Sequence, residues 1–168
     1  MDADRVLELL AHLTTNGITA WLDGGWAVDA LIGRQRRPHD DVDLLVDIAD
    51  AERVATVLAG HGYAVARGHA PTSFELVDAH GHQVDVHPVR FTAAGDGLYT
   101  MDSGEDWLFP AHGFAGSGEI LGQTVRCLSA DVMMVCHTTG YALDEVHQAD
   151  VVALSERCGI PVPPIQIA

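Results

Sequence analysis

Trp21-Leu22-Asp23-Gly24-Gly25-Trp26-Ala27-Val28-Asp29 and, beyond a polar arginine-rich stretch, Asp41-Val42-Asp43-Leu44-Leu45-Val46-Asp47-Ile48 decide how this chain folds. Ile18 to Leu22 is a short apolar, partly β-branched run and reads as a strand. It breaks off at Asp23-Gly24-Gly25, after which Trp26 to Ile32 read as a helix that Gly33 closes. In the second stretch Val42, Leu44, Val46 and Ile48 alternate with Asp41, Asp43, Leu45 and Asp47, the period of two that marks a strand.

Working outward, Val6, Leu9, Leu10 and Leu13 recur at helical spacing before an Asn16-Gly17 stop. On the other side, Asp50 is placed to cap a helix carrying Val54, Val57 and Leu58 that ends at Gly60-His61-Gly62. Tyr63 to Arg67 reads as a further strand, and Ser73 to Ala79 with His82 to Val89 as a hairpin around His80-Gly81. Residues 92–118 are rich in Gly, Asp and Ser and are expected to be mostly loop, anchored by Trp107, Leu108 and Phe109. Ile120-Leu121 and Thr124 to Leu128 flank Gly122-Gln123 as a second hairpin. Ser129 then caps a helix, and a last one opens at Asp144 or Glu145 and ends at Gly159. The expected fold is α+β, a mixed sheet flanked by helices, with a core over 1–128 and a C-terminal helical segment, 129–168, packed on the same unit.

With 168 residues, 48% hydrophobic and 20% charged, the composition is that of one globular domain rather than a disordered chain. Nine basic residues, all arginine, face 24 acidic ones, for a net charge of −15. A nucleic-acid binder needs a basic footprint, so the charge balance argues against that class and favours a cationic small-molecule partner. The apolar runs are too short for a membrane span, and the acidic start Met1-Asp2-Ala3-Asp4-Arg5 is unlike a signal peptide, so a cytoplasmic protein is expected. Cys127, Cys136 and Cys158 form no CxxC pair and fit reduced thiols.

Asp41 and Asp43, two apart on a strand, project from one face. Carboxylates so close repel unless a cation neutralises them, and an oxygen-only set suits magnesium. Asp85 lies on the strand His82 to Val89, where Gln83, Asp85 and His87 point away from Val84 and Val86. If that strand neighbours the first, Asp85 joins the pair, giving the parts that an in-line phosphoryl or nucleotidyl displacement requires. The Gly24-Gly25 turn between strand and helix lets backbone N–H groups approach phosphate, and Arg34, Arg36 and Arg37 form the densest basic cluster in the chain. Ten histidines carry no closed zinc spacing, and His87 reads as a strand-end group that packs or orients a neighbour. Trp26, Trp107 and Tyr141 are each read as core, loop-anchoring or cleft-lining aromatics.

The stretch Trp21 to Asp29, then Gly33, then Arg37-x-His39-x-Asp41-Val42-Asp43, resembles the signature of the antibiotic nucleotidyltransferases of the polymerase-β-like superfamily. Within these the chain is most similar to the small lincosamide nucleotidyltransferases, and next to the aminoglycoside 2″-adenylyltransferases. The likeness continues through Val84-Asp85-Val86-His87-Pro88, His137 and Gly140-Tyr141-x-Leu143 to Asp150. The resemblance implies that Gly24, Gly25, Arg37 and His39 hold the nucleotide. It implies that Asp41, Asp43 and Asp85 bind magnesium, as two ions, with Asp85 also the catalytic general base. Asp29 would be structural. Two departures stand out: Gly25 replaces the serine frequent in the wider superfamily, and the tail is one residue longer between His137 and Gly140.

The expected function is magnesium-dependent transfer of AMP from ATP to a hydroxyl of a small amine-bearing antibiotic, a lincosamide first, by a monomer or homodimer needing no nucleic acid or membrane. An aminoglycoside acceptor, a minimal nucleotidyltransferase of a toxin–antitoxin pair, and a non-catalytic nucleotide-binding module are the alternatives.

Overall fold

β1 (Ala20–Asp23) and β2 (Asp41–Asp47) pair antiparallel, and α2 (Gly24–Ile32) starts at the residue after β1 ends. In the computed structural model, which describes residues 1–101, 103–139 and 145–163, β2 then pairs in parallel with β5 (Gln83–Phe91), from Asp41 opposite Gln83 to Asp47 opposite Val89. Parallel neighbours need a crossover. Here it comprises α3 (Ala51–Ala59), β3 (Ala64–Gly68) and β4 (Phe74–Val77), the last two completing the order β1-β2-β5-β4-β3 antiparallel to their neighbours.

The alternation read from the sequence is realised: Val42, Leu44, Val46, Val84 and Val86 are wholly buried in one core, while Asp41, Asp43 and Asp85 face the other way, half-buried. α1 (Ala3–Thr15) adds Val6, Leu9 and Leu13 to that core and packs on α3; its N-cap Asp2 accepts the Arg5 N–H at 2.9 Å. α2 buries Trp26, Ala27, Val28, Asp29, Ala30 and Ile32, nearly its whole circumference. A helix apolar all round must be covered all round. It lies against β1 and β2, the hairpin β8 (Ser117–Ile120) and β9 (Gln123–Arg126), and the helices α4 (Ala130–Thr138) and α5 (Glu145–Cys158).

Residues 92–118 depart from the expectation of loop. β6 (Gly97–Thr100) pairs with the end of β5, β7 (Asp106–Phe109) pairs with β6, and a 3₁₀ turn spans Ala111–Ala115. Strands of four residues with glycine and aspartate among them carry little local signal; pairing with β5 creates them. Trp107, Leu108 and Phe109 form β7 itself. Two capping expectations also shift. Asp50 makes no side-chain cap and instead pairs with Arg53, while Asp47 accepts the Ala49 N–H in a short 3₁₀ turn. Ser129 donates to Asp131 at 2.6 Å rather than capping α4. Gly140, Tyr141, Leu143 and Asp144 lie outside the described residues. Among the described residues, no helix is long and apolar enough to cross a membrane.

Candidate active site

Strand register builds the site. Asp43 stands opposite Asp23 on one side and Asp85 on the other, and Asp85 in turn stands opposite Glu75, which pairs with Arg67 at 3.0 Å. One row across five strands thus reads Asp23, Asp43, Asp85, Glu75, Arg67, with Asp41 two residues before Asp43 on the same face. Asp41, Asp43 and Asp85 thus share one face of two neighbouring strands, the adjacency that their convergence would require. Asp23 and Glu75 are additions. The position of Asp23 at the strand end before the glycine turn was the available signal; Glu75 needed the hairpin register.

Crowded carboxylates perturb one another. Burial, then the charge of Asp43, raises Asp41; burial raises Asp85 as well, with Asp43, Asp41 and Glu75 adding to it against a hydrogen bond from Gln83. Asp23 is pushed up to about 6 by burial and by Asp43, against the pull of His87 and the Gly24 N–H. Gln83 Nε2 lies 2.9 and 3.2 Å from the two oxygens of Asp85, and His87 Nε2 lies 3.4 Å from Asp43 Oδ1. Burial alone would lower His87, but the contact with Asp43 and the charges of Asp23 and Asp85 outweigh it and raise the imidazole. Among the described residues no three His, Cys, Asp or Glu side chains form a ready-made cage for an ion. The donor set nonetheless suits a hard divalent cation: oxygen ligands, excess negative charge, and, at Asp41 and Asp85, proton affinities raised by burial and by neighbouring carboxylates.

The glycine turn presses on this row. Gly24 has φ +57°, and a Cβ there would lie 2.1 Å from Asp43 Oδ2. Its N–H is donated to Asp23 at 2.8 Å, so what position 24 offers an incoming phosphate is the absence of a side chain. At Gly25 a Cβ would come within 2.6 Å of the Arg37 guanidinium, 2.6 Å of His39 Cε1 and 2.7 Å of its Nδ1. Arg37 and His39 therefore lie against the glycine turn.

Behind them Asp29 is a hub. His39 Nε2 lies 2.6 Å from its carboxylate, and Arg36 gives it a backbone N–H at 3.1 Å and Nε at 2.9 Å. Burial would raise Asp29, yet the hydrogen bonds from His39 and Arg36, with their charges, hold it below the usual carboxylate range. Arg36 also reaches Asp150 on α5 and the Ala149 carbonyl. Of the arginine cluster, then, Arg36 is taken up inside the protein rather than offered to phosphate.

Beside the carboxylates opens a cavity of about 600 Å³. Asp23, Gly24, Asp43, Leu45 and His87 line it from the sheet, Tyr99, Met101, Trp107 and Phe109 from the β6–β7 region, and Cys136, His137, Thr139 and His147 from the helices. Trp107 lines this cleft, whereas Trp26 is 2% exposed, in the core against the His39 ring at 4.7 Å. Tyr99 is held by Ser73, O to O 2.8 Å, and meets the His87 ring edge-on at 5.4 Å. His82 is bonded to Asp78 in the β4–β5 turn at 2.8 Å, and His80 uses its N–H on the same carboxylate.

A family model described as aminoglycoside-2″-adenylyltransferase matches residues 5–154. The chain belongs to the aminoglycoside-2″-adenylyltransferase family. It is an enzyme of the nucleotidyltransferase class. A lincosamide resistance protein of Staphylococcus haemolyticus is 29% identical to this family member over 146 residues, 87% of this chain and 88% of that one. A 2″-aminoglycoside nucleotidyltransferase of Klebsiella pneumoniae is 46% identical over 47 residues, 26% of this chain and 27% of its own. Among solved structures, the lincomycin-bound lincosamide antibiotic adenylyltransferase LnuA superposes with a TM-score of 0.81 at 26% identity, covering 92% of this chain and 97% of that one. ANT(2″)-Ia in complex with adenylyl-2″-tobramycin gives 0.72 at 20% identity, covering 94% and 89%, a likeness of fold.

Proposed function

We propose that this family member transfers AMP from ATP to a hydroxyl of a small amine-bearing antibiotic, with a lincosamide as the acceptor class, and so confers resistance. The observation that carries the reading is the register that sets Asp43 beside Asp85 at the mouth of the glycine turn, next to a cavity of about 600 Å³. Asp41, Asp43 and Asp85 would hold magnesium. Bound there, the metal supplies charge neutralisation for the triphosphate and Lewis-acid polarisation of the α-phosphate.

The chain's own residues do the rest. Gly24 and Gly25 leave room for phosphate oxygens at the N-terminus of α2, where the helix dipole favours negative charge. Arg37 and His39 close over that turn, His39 oriented by Asp29. Asp85 takes the proton from the acceptor hydroxyl as its oxygen bonds to the α-phosphorus; the bond from that phosphorus to the β-bridging oxygen breaks and pyrophosphate leaves. Burial and neighbouring carboxylates raise Asp85, which suits a proton acceptor. Residues 1–128 would provide the nucleotide site, and the helical segment 129–168 one wall of the acceptor cavity. Cavity walls bearing Leu45, Met101, Trp107 and Phe109 beside Asp23 and Asp43 suit an amine carried on a partly apolar molecule. This, with the 29% identical lincosamide resistance protein, supports the choice of lincosamides before aminoglycosides. The supply of ATP in the cytoplasm makes that the place of reaction.

The test is incubation with MgATP and separate lincosamides and aminoglycosides, read by mass spectrometry and pyrophosphate release. A gain of one AMP on a lincosamide is expected. A gain only on aminoglycosides, or on none of the panel, defeats the acceptor assignment.

A further inference from the structure

Two side chains that line the acceptor cavity carry buried nitrogens with no hydrogen-bond partner, His87 at Nδ1 only and His137 at both ring nitrogens. His137, in the last turn of α4, lines it with a side chain 8% exposed. Neither Nδ1 nor Nε2 has a hydrogen-bond partner. Among the described residues the nearest anion, Asp150 Oδ2, is 3.8 Å from Nδ1, too far for a hydrogen bond, and is already engaged with Arg36 and Arg37. His147 lies with its ring centroid 5.5 Å away. Buried polar atoms are almost always satisfied, so two orphaned nitrogens on one ring beside a cavity call for a ligand.

We infer that His137 is an acceptor-binding residue: its imidazole hydrogen-bonds a sugar-type hydroxyl of the antibiotic and so turns the neighbouring reactive hydroxyl toward Asp85. The inference rests on the transfer reading above and goes beyond it by assigning the wall opposite the carboxylates. The chemistry is selective. Burial holds the imidazole below its ordinary value despite Asp150, so the ring is neutral and presents one N–H donor and one lone pair. A hydroxyl, being both donor and acceptor, can meet either. An ammonium group can meet only the lone pair, and the carboxylate of Asp23, which also lines the cavity, serves it better. The cavity therefore divides its labour, with hydroxyls toward α4 and positive charge toward the sheet.

Two measurements test this on the full-length protein. First, ¹⁵N-histidine-labelled enzyme is titrated with lincomycin in two-bond ¹H–¹⁵N spectra. The His137 nitrogens should shift on saturation while those of His80 and His82 do not. Second, His137→Phe, which keeps a flat ring and removes both polar atoms, should raise the acceptor KM at least tenfold with ATP KM within twofold. His137→Gln, which restores a donor and an acceptor, should recover most of that loss. An unchanged acceptor KM in His137→Phe, or an ATP KM that rises in parallel, overturns the assignment and leaves His137 to the Asp150 network. If His137→Phe does not fold, the titration decides alone. Turnover without a His137 shift overturns this inference and leaves the transfer reading standing. A shift without turnover does the reverse.

Discussion

Gly25→Ser would install the residue common elsewhere in the superfamily, and here it should cripple the enzyme. A Cβ at this position would lie 2.6 Å from His39 Cε1 and 2.7 Å from its Nδ1, where carbon contacts ordinarily sit at about 3.5–4.0 Å. The Arg37 guanidinium, also 2.6 Å away, is the end of a flexible chain and can swing aside. His39 cannot: it is 4% exposed, against Trp26, with Nε2 2.6 Å from Asp29. A displacement of about 1 Å breaks that hydrogen bond. Overpacking costs about 1–3 kcal/mol and a hydrogen bond to a charged group contributes about 1.5–3 kcal/mol. The combined loss is about 3–5 kcal/mol, or about 10–15 °C in Tm for a chain of this size. Urea unfolding and thermal melts of Gly25→Ser and Gly25→Ala measure it, with pyrophosphate release as the activity readout. In a His39→Ala background, where the obstruction is gone, the added Cβ should cost under about 1 kcal/mol. A Gly25→Ser protein that melts within about 2 °C of the parent and transfers normally would refute the reasoning.

Asp43→Asn should reduce transfer at least about a hundredfold while leaving the metal-free protein as stable as the parent or more so, because repulsion with Asp23, Asp41 and Asp85 is removed; a large fall in Tm would show that the charge is structural. Asp23 is raised from 3.8 to about 6, so between those values the folded state holds a proton that the unfolded state has lost. Its contribution to stability therefore falls as pH rises from about 4 to about 6, by at most about 3 kcal/mol. Asp23→Asn should flatten that part of a pH–stability curve, and an unchanged slope would assign the slope to other groups. Arg36→Met should cost about 3–5 kcal/mol, because it strands Asp29 and Asp150, each 1% exposed at the side chain; an intact Tm with a raised ATP KM would return Arg36 to the phosphate site.

Much of the site was legible because strands declare their faces. The period of two across Asp41 to Asp47 placed Asp41 and Asp43 together, and the same rule at His82 to Val89 turned Asp85 away from Val84 and Val86. Only pairing between the two strands remained to be supplied, and the parallel register of β2 and β5 supplies it. What could not be read depends on tertiary partners. The β6–β7 hairpin borrows its order from β5, and the 3₁₀ turn that follows it is tied to Trp21, whose Nε1 donates to the Phe114 carbonyl at 2.9 Å. Arg36 and Arg37 are adjacent and chemically alike, and both approach Asp150, yet Arg36 is drawn inward while Arg37 covers the glycine turn; the hydrogen bonds of Arg36 to Asp29 make that distinction.

The salt link from Asp150 to Arg36 also means that the tail helix and the nucleotide turn share an anchor. Removing α5 would do more than open one side of the acceptor cavity: it would leave the Arg36 guanidinium without one of its two carboxylates and loosen the loop that carries His39. Grafting a relative's C-terminal helix to change the cavity wall should therefore succeed only with grafts that bring an acidic residue to the place of Asp150, because that wall and the loop over the glycine turn hang from the same peg.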